Sequence, residues 1–551
     1  MREIISLHIG QAGLQIGNSL WELFCLEHSI QPDGTVPTDR ILEGLNSNVD
    51  SLFSLSQYGR YVPRAIFFDE DPTTINAIKN GPSRGLFNRS YIHQCQKESG
   101  GCWARSFGTI MNQEGEEKIA DKIRKQVESC DGLQGIMLYH SVGGGFGGGF
   151  TSKILDLLSS DLEKVTKATV SVLSSNHSLQ SSLIEPYNSL LTIKYLKEKA
   201  DMSIMLENQA LFKVANQQLD IDNPNFSTIN RMIAQLISSV TQSSRFNGSK
   251  FVDLIEMRMN VVPEPDFQFL HASYAPFINI DKQNTELTNL QQITNSLFDQ
   301  RSSFINYNHK TVKYMAANLF FRGDCPWGEV KSVVESLKQS PNIQFAEFAV
   351  PTFQIAISDK APIPFPNSEQ GRSNKAVCMI ANSSAIGIPL FRIRRNASTL
   401  YSKRSHVHWL VGEGREEGEI QEALDTVKSF IINYRQVKQE NPDKDYCTRV
   451  QHGTDYIRQF VYTCDCLDVE GYIKSGIEKG EDMEGKYLGV CVQCARKCHV
   501  GHNLKAKGIV NEFFCDCGLE NCKVKCQCQK EEAQEEEQEQ QQEQQQELQQ
   551  V

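Results

Sequence analysis

The sequence has no apolar run as long as the ~20 residues that a transmembrane helix requires, so it predicts no membrane span. No signal peptide precedes the first apolar run, which begins directly after Glu3, and we therefore expect a cytoplasmic protein. The sequence also has no excess of basic residues, and its formal net charge is −11. We therefore expect neither a membrane nor a nucleic acid as a main partner.

Cysteine is sparse in residues 1–440, which hold six of the 17, and the other eleven lie between Cys447 and Cys528. A cytosolic protein rarely keeps disulfides, so this cluster indicates a metal site. Acidic charge is also uneven, because eight glutamates fall in residues 531–551. Without them the formal charge would be about −3. This Glu/Gln tail has almost no apolar residues and cannot bury a core.

The alternation of elements predicts an α/β fold with a mostly parallel sheet. The opening residues read as a strand, a glycine-containing turn and an amphipathic helix. Apolar runs at 65–68 and 135–139 predict two more strands, and apolar spacing within 151–162 predicts a helix. Strands mixed with helices between 261 and 378 suggest a second α/β unit, and a long helical pattern ends near Asn441 and Pro442.

Seven residues that include six glycines lie between a predicted strand and a predicted helix, at 143–149. Glycines there allow the backbone to approach an anion, and the N–H groups at a helix start favour phosphate. A flexible glycine linker is the alternative. The strand before the loop and the helix after it favour a phosphate site.

Several stretches of the sequence, in the same order along the chain, carry a specific resemblance. They are MREIISLHIGQAGLQIGNSLWELFCLEHSIQPDG, Val62-Pro63-Arg64-Ala65, LYHSVGGG followed by FTSKIL, Glu185-Pro186-Tyr187-Asn188, Ala376-Val377-Cys378-Met379 and HVHWLVGEGREEGE. From Met1 to about Val437 the chain resembles α-tubulin. The resemblance implies a Rossmann-like GTPase domain at 1–245, an intermediate domain at 246–383 and C-terminal helices at 384–440. A cysteine-rich module at 441–530 and the tail at 531–551 follow.

The resemblance also implies GTP and Mg²⁺ as cofactors and assigns residues to them. The phosphates are expected near one glycine-containing turn and one glycine loop. The guanine and the ribose are expected near four further residues, and Mg²⁺ is expected near two carboxylates. These residues are Gly10, Gln11, Ala12, Ser141, Gly143, Gly144, Gly145, Phe146, Gly147, Gly148 and Gly149 for phosphate, Glu185 for ribose, Asn208, Phe226 and Asn230 for guanine, and Asp69 and Asp71 for the metal side. An Asn amide suits guanine because it offers a donor and an acceptor together.

Among the positions that depart from the family pattern, three weaken the phosphate site. Phe146 stands where the family has threonine, Gly148 where it has serine, and Gly101 where it has a phosphate-contacting asparagine. Each lost hydrogen bond removes a net ~0.5–1.5 kcal/mol, or more if its partner is charged. The sequence therefore predicts GTP binding that is weaker or slower than is usual for the family.

Two carboxylates three residues apart, Asp253 and Glu256, share a face if the segment is helical. Taken alone, they read as solvated side chains. The resemblance implies instead that both are catalytic residues at the contact with the next subunit, where Glu256 polarises the water that attacks the GTP of that subunit. β-Tubulin has lysine at the position of Glu256. A glutamate can orient and deprotonate water. The long segment 359–373 is also α-like.

Ten cysteines and histidines beyond residue 440, most of them in closely spaced groups, have the spacing of zinc ligands. They are Cys447, Cys464, Cys466, Cys491, Cys494, Cys498, His499, His502, Cys515 and Cys517. Disulfides and reactive thiols are the alternatives. The pattern over about 446–518 resembles a UBR-box zinc finger, which implies recognition of protein N-termini, while a purely structural zinc site stays open.

The predicted function is an α-like tubulin that pairs with a β-tubulin-like subunit in cytoplasmic microtubules, including those of cilia, and acts as a GTPase in trans. Two other hypotheses remain. One is a pseudo-tubulin scaffold that no longer cycles GTP. The other is an adaptor of the ubiquitin pathway, in which the zinc module recognises protein N-termini or another partner in that pathway.

Overall fold

The computed structural model describes residues 2–37, 48–110, 112, 115–174, 182–283, 289–309, 312–340, 343–346, 348–366 and 368–439, and the strands at 457–464, 490–491 and 504–513. The chain divides into two compact units, Met1–Lys438 and Gln439–Val551. The described helices include none that is long and apolar enough to cross a membrane.

The first unit contains thirteen described strands. They are β1 Glu3–Ile9, β2 Phe53–Leu55, β3 Tyr61–Pro63, β4 Ala65–Asp69, β5 Ile92–Gln94, β6 Leu133–Ser141, β7 Thr166–Leu173, β8 Met202–Glu207, β9 Phe269–Ala275, β10 Lys313–Gly323, β11 Gln344–Phe345, β12 Phe353–Ser358 and β13 Lys375–Ser383. Strands β2 and β3 form a hairpin, and the other eleven form one sheet.

Most described helices of this unit lie between strands, and the last three follow β13. They are α1 Gly10–Glu27, α2 Pro72–Asn80, α3 Glu116–Glu128, α4 Gly145–Asp161, α5 Glu185–Lys199, α6 Asn208–Leu219, α7 Phe226–Val240, α8 Gln242–Arg245, α9 Leu254–Val261, α10 Leu290–Ser296, α11 Trp327–Gln339, α12 Gly387–Ser402, α13 Val407–Gly412 and α14 Glu417–Gln439. A π-helical turn covers Arg105–Ile110.

The sheet has the order β11-β10-β13-β9-β8-β7-β6-β1-β4-β5, and β12 also pairs with β10. Neighbours from β5 to β9 are all parallel, whereas β13 runs antiparallel to both β9 and β10. The predicted α/β fold with a mostly parallel sheet is therefore confirmed. The strands of the second predicted unit continue the same sheet.

Strand β1 shows why both faces of the sheet are covered by helices. All seven of its residues are buried, which is typical of a parallel strand between two layers. Ile4 packs in the core cluster that contains Trp21 of α1, whereas Ile5 packs in the opposite cluster with Ile154 of α4. Successive side chains of a strand point to opposite faces, so α1 and α4 cover different sides of the sheet.

The predicted helix at 151–162 begins earlier in the structure, at Gly145, so part of the glycine stretch is helical. Glycine has a low helix propensity, but within the helix Thr151 and Ser152 donate side-chain hydrogen bonds to the carbonyl oxygens of Gly147 and Gly148. These local hydrogen bonds therefore satisfy carbonyl groups of the first turn.

Three charged side chains without solvent exposure link distant parts of the first unit. Arg245 Nη1 lies 2.5 Å from Glu27 Oε2, and Arg322 Nη2 lies 2.7 Å from Glu27 Oε1. Ser238 Oγ donates to the same carboxylate at 2.7 Å. The two guanidinium groups hold the pKa of Glu27 far below its usual range although burial alone would raise it.

The second unit is described over three strands, β14 Ile457–Cys464, β15 Val490–Cys491 and β16 Leu504–Phe513. They form an antiparallel sheet in the order β15-β14-β16. Val461 pairs with Cys491, and Cys464 pairs with Leu504.

Candidate functional site

The position of the candidate site follows from the strand order. The chain runs from β1 to β4 on one side and later returns to β6 on the other side of β1. Such a switch point leaves a crevice at the carboxyl ends of the strands, where ligands bind in doubly wound sheets. Gly10, Asp69 and Ser141 lie at these ends.

The glycine loop and the first turn meet at this crevice. Gly144 precedes α4 in an extended conformation, so the N–H groups of the first turn of α4 form the helix N-terminus. Gly10 has φ +71°, and a side chain there would come within 3.2 Å of Gly147 Cα. A Cβ at Gly145 would come within 2.3 Å of the carbonyl carbon of Gly101. Backbone segments of three loops are therefore in direct contact around a helix N-terminus, which suits an anion.

Side chains of the loop divide between the crevice and the core. Ser141 Oγ lies beside the loop, because a Cβ at Gly144 or Gly147 would come within 2.7 or 2.5 Å of it. Phe146 is only 4% exposed and stacks on Phe150, with ring centroids 4.7 Å apart. The residue that replaces the family's threonine therefore contributes to the core.

The other predicted phosphate residues line the same loops. Gln11 is exposed and Ala12 is half-buried in the first turn of α1. Gly143 lies against the carboxylate of Glu185, because a Cβ there would meet Oε1 at 2.6 Å. A Cβ at Gly148 would meet Thr192 Oγ1 at 2.3 Å, so a serine at 148 would require the Thr192 side chain to move.

A chain of buried polar groups lies beneath the loop. His140 Nδ1 lies 3.2 Å from the carbonyl oxygen of Ser141, and its Nε2 lies 2.9 Å from Ser171 Oγ. The hydroxyls continue through Thr169 to Ser203 at 3.1 and 2.8 Å. Burial lowers the pKa of His140 to about 4, so the imidazole is neutral at pH 7 and supports the loop as a hydrogen-bonding group.

The two carboxylates predicted near Mg²⁺ already have protein partners. Asp69 ends β4, and Thr74 Oγ1 donates to its Oδ2 at 2.5 Å. Asp71 caps α2 and accepts the Thr73 backbone N–H at 2.8 Å. Burial raises the pKa of Asp69, whereas the hydrogen bonds from Thr73 lower that of Asp71.

The carboxylate between them, Glu70, joins this turn to a neighbouring one. It accepts the backbone N–H of Ser99 at 2.5 Å and its hydroxyl at 2.8 Å. Burial raises the pKa of Glu70. The described residues contain no group of three or more His, Cys, Asp or Glu arranged to hold a metal. The acidic turn therefore fits Mg²⁺ only as an ion that takes most ligands from phosphate and water, which is its usual mode.

Helix α5 contributes two side chains from its first turn. Glu185 is buried beside Gly143. Asn188 is fully buried and accepts the backbone N–H of Trp103 at 3.1 Å through Oδ1. Its Nδ2 donates to the carbonyl oxygens of Gly101 at 2.8 Å and Gly143 at 3.2 Å. One side chain therefore connects two of the loops at the crevice.

The predicted guanine residues lie at the next helices. Asn208 begins α6 directly after β8, and Phe226 begins α7 with 55% exposure and its edge against Phe212. Asn230 lies one turn further, with its Nδ2 3.5 Å from Gln15 Oε1. Gln15 and Gln11 line a groove between α1 and α2. The exposed face of Phe226 is available for stacking on a flat base.

The predicted catalytic carboxylates lie on α9 and serve different partners. Asp253 caps the helix by accepting the Glu256 backbone N–H at 2.9 Å, and Gln134 donates to its other oxygen at 3.2 Å. Glu256 is exposed, and Gln354 Nε2 donates to its Oε1 at 2.6 Å. The structure therefore gives Asp253 a capping role and leaves Glu256 as the carboxylate at the surface.

The long segment predicted at 359–373 packs on α7. Gln235 donates to the carbonyl oxygen of Ile363 at 2.7 Å, and the guanidinium of Arg231 lies 5.5 Å from the ring centre of the buried Phe365. The segment therefore fills the space beside α7.

Two of the ten predicted zinc ligands belong to described strands, Cys464 at the end of β14 and Cys491 at the end of β15. The others lie outside the described residues; they are Cys447, Cys466, Cys494, Cys498, His499, His502, Cys515 and Cys517.

A doubly wound sheet with a glycine loop at its switch point defines a nucleotide-binding α/β protein. A family model described as "Tubulin/FtsZ family, GTPase domain" matches residues 3–216, and one described as "Tubulin C-terminal domain" matches 265–394. The chain is 39% identical over 445 residues to the tubulin alpha-2 chain of Eleusine indica, covering 81% of this chain and 99% of that relative. The chain belongs to the tubulin family and is α-like.

This result confirms the predicted family and α-like character. The individual site assignments, the domain boundaries and the UBR-box resemblance stay predictions. Four further residues at the site, Glu70, Ser99, Gln15 and Asn188, were not predicted from the sequence. Two of them had a signal in their spacing, because Gln15 follows Gln11 by four residues and Asn188 follows Glu185 by three, which places each pair on one helix face.

Proposed function

We propose that this chain is a microtubule subunit that binds GTP at the β1–β4–β6 crevice and assembles head to tail with a β-tubulin-like partner. Its own nucleotide stays buried at one interface, and Glu256 acts on the nucleotide of the partner. The proposal includes the three tubulin domains with boundaries near residues 245, 383 and 440, and a place in the cytoplasmic cytoskeleton that extends to cilia.

The observation that carries the proposal is the surface of α9. Glu256 is exposed between Ile255 and Met259, which are 39% and 68% exposed, and Phe251 just before the helix is 46% exposed. Exposed apolar side chains around a carboxylate are typical of a protein interface. A second subunit that covers them would also exclude water around Glu256 and strengthen its interaction with the reacting groups.

The fit of guanine nucleotide rests on the crevice. Backbone N–H groups at the start of α4 and α1 would hold the phosphates, Phe226 would stack on the base, and Asn208 and Asn230 would hydrogen-bond its edge. Bound Mg²⁺ would neutralise phosphate charge beside Asp69 and Asp71. The loop lacks the hydroxyls replaced by Phe146 and Gly148, so its backbone carries most of the recognition.

In the proposed reaction, Glu256 holds a water molecule against the terminal phosphate of the partner's GTP and accepts its proton. Gln354 fixes the carboxylate by donating to one oxygen, which leaves the other for the water. Asp253 keeps the first turn of α9 in place through its cap.

The test is the nucleotide content of the full chain purified together with β-tubulin. We expect guanine nucleotide close to one molecule per chain beyond the partner's own, and incorporation into polymer. A chain that enters the complex without nucleotide would be a pseudo-tubulin scaffold. A Phe226→Ala variant should retain the fold and bind guanine nucleotide more weakly, and Phe212→Tyr serves as a control on the neighbouring ring.

A second proposed activity belongs to the cysteine-rich segment, which we propose binds zinc and, as a UBR-box-like module, protein N-termini or another ubiquitin-pathway partner. The support is the spacing of Cys491, Cys494 and Cys498 with His499 and His502. Elemental analysis of the full chain should find zinc that is reduced by Cys494→Ser but not by Cys130→Ser in the first unit. Peptides with basic N-termini should bind in pull-down experiments; equal binding of all peptides would leave the module structural.

A further inference from the structure

The amide of Asn188 uses all of its hydrogen-bonding groups on backbone atoms. Its two N–H groups meet the carbonyl oxygens of Gly101 and Gly143, and its oxygen meets the N–H of Trp103. These partners fix the orientation of the amide, because a flipped side chain would set its oxygen against two carbonyl oxygens. Asn188 is fully buried, so water cannot replace a lost partner.

Asn188 joins the turn at Gly101 to the glycine loop, and these two segments lie very close together. Gly145 opens α4 so close to Gly101 that a Cβ would lie 2.3 Å from a backbone carbon. The turn at Gly101 is held from its other end by Glu70, through Ser99. A small displacement of Asn188 would therefore move the turn at Gly101 relative to the N-terminus of α4.

We infer that Asn188 is a positioning residue for phosphate recognition: it fixes the turn at Gly101 against the glycine loop so that their backbone groups face the phosphates of the nucleotide. The inference rests on the proposed function, because it assumes that the crevice binds GTP. It assigns no contact between Asn188 and the nucleotide. The side chains at 101, 146 and 148 lack polar groups, so affinity depends on how accurately the backbone is held.

The test compares two buried asparagines with the same chemistry. Asn382 on β13 is also fully buried and donates from Nδ2 to two carbonyl oxygens, those of Val261 and Phe267, but it lies outside the crevice. Asn188→Asp and Asn382→Asp each replace two donors with an acceptor. Both variants should lower the unfolding temperature of the full chain, so stability alone does not separate them.

Nucleotide affinity separates them. We expect Asn188→Asp to lower the affinity for GTP and GDP by about tenfold or more, because phosphate recognition is disturbed. The affinity for guanosine, which has no phosphate, should stay within about twofold of the native value. Asn382→Asp should retain GTP affinity in its folded fraction. Equal GTP affinity of the Asn188→Asp and native chains would overturn the inference, and so would an equal loss for guanosine.

A smaller change keeps the test decisive if Asn188→Asp does not fold. Asn188→Ser retains one hydroxyl donor and should lower the affinity for GTP by about threefold to tenfold, while the affinity for guanosine stays unchanged. Full GTP affinity in this variant would overturn the inference. A native chain without any affinity for guanine nucleotide would overturn both the inference and the proposed function, whereas native binding with an unaffected variant overturns the inference alone.

Discussion

Phe146 stacks on Phe150 with ring centroids 4.7 Å apart and an interplanar angle of 18°. The fourth position of the glycine loop therefore anchors α4 in the core, whereas the family's threonine at this position would offer a hydroxyl to phosphate. At this position the loop therefore makes an apolar packing contact and has no hydroxyl group.

The first prediction compares this ring with an exposed one. Phe146→Ala should lower the free energy of unfolding by about 3–5 kcal/mol, because it removes a buried aromatic side chain. Phe226→Ala should change the free energy of unfolding little. It should weaken the binding free energy of guanine nucleotide by about 1–3 kcal/mol, the usual contribution of a ring stacked on a base. Denaturant unfolding without nucleotide and equilibrium nucleotide binding provide the two measurements. A larger stability loss for Phe226→Ala would contradict the assignment.

The second prediction concerns pH and Glu70. Burial raises the pKa of Glu70 in the folded protein, so the folded state holds its proton at pH values where the unfolded state has lost it. The free energy of unfolding contributed by this group is complete below the ordinary glutamate pKa and falls as pH rises through the raised value. Glu70→Gln removes this dependence. Its stability relative to the native chain should therefore increase with pH over that window, as measured by unfolding at several pH values; a decrease would contradict the burial argument.

The third prediction concerns the buried carboxylate of Glu27. The side chains of Glu27, Arg245 and Arg322 are all 0% exposed. Glu27→Gln therefore leaves two buried guanidinium groups without a balancing charge, which should lower the free energy of unfolding by about 3–5 kcal/mol. Glu335→Gln removes a carboxylate that is 61% exposed and 3.9 Å from Lys331, which is itself 64% exposed, and should have little effect. Chemical unfolding of the two variants measures the difference. Equal stability would mean that the buried pair does not hold α1 against β10.

The fold followed closely from the sequence because its signals are local. Buried strands such as β1 and β6 end where Gly10 and Ser141 provide the turns, so the position of the crevice could be predicted. The role of Phe146 could not, because a large side chain between glycines can turn to either side and only the packing of Phe150 decides. The contact partners of Asn188 and Glu27 could not be predicted, because these contacts join residues that are far apart in sequence.

The fourth prediction tests how Glu256 is held. Gln354→Ala removes the donor 2.6 Å from the carboxylate, so Glu256 should be less well oriented and GTP turnover in the co-assembled lattice should fall by about threefold to tenfold. Gln421→Ala, which removes an exposed hydrogen bond on α14, should leave turnover unchanged. A normal rate for Gln354→Ala would show that Glu256 does not depend on this contact.

The most direct test of the account is the rate of GTP hydrolysis in polymer built from this chain and β-tubulin. Glu256→Ala should slow hydrolysis by about 100-fold, the lower range for loss of a general base, while polymer still forms and the nucleotide of this chain is retained. Asp253→Asn should mainly lower stability, because Asp253 caps α9. Unchanged hydrolysis in the Glu256→Ala polymer would contradict the central claim that this subunit supplies the catalytic carboxylate to its partner.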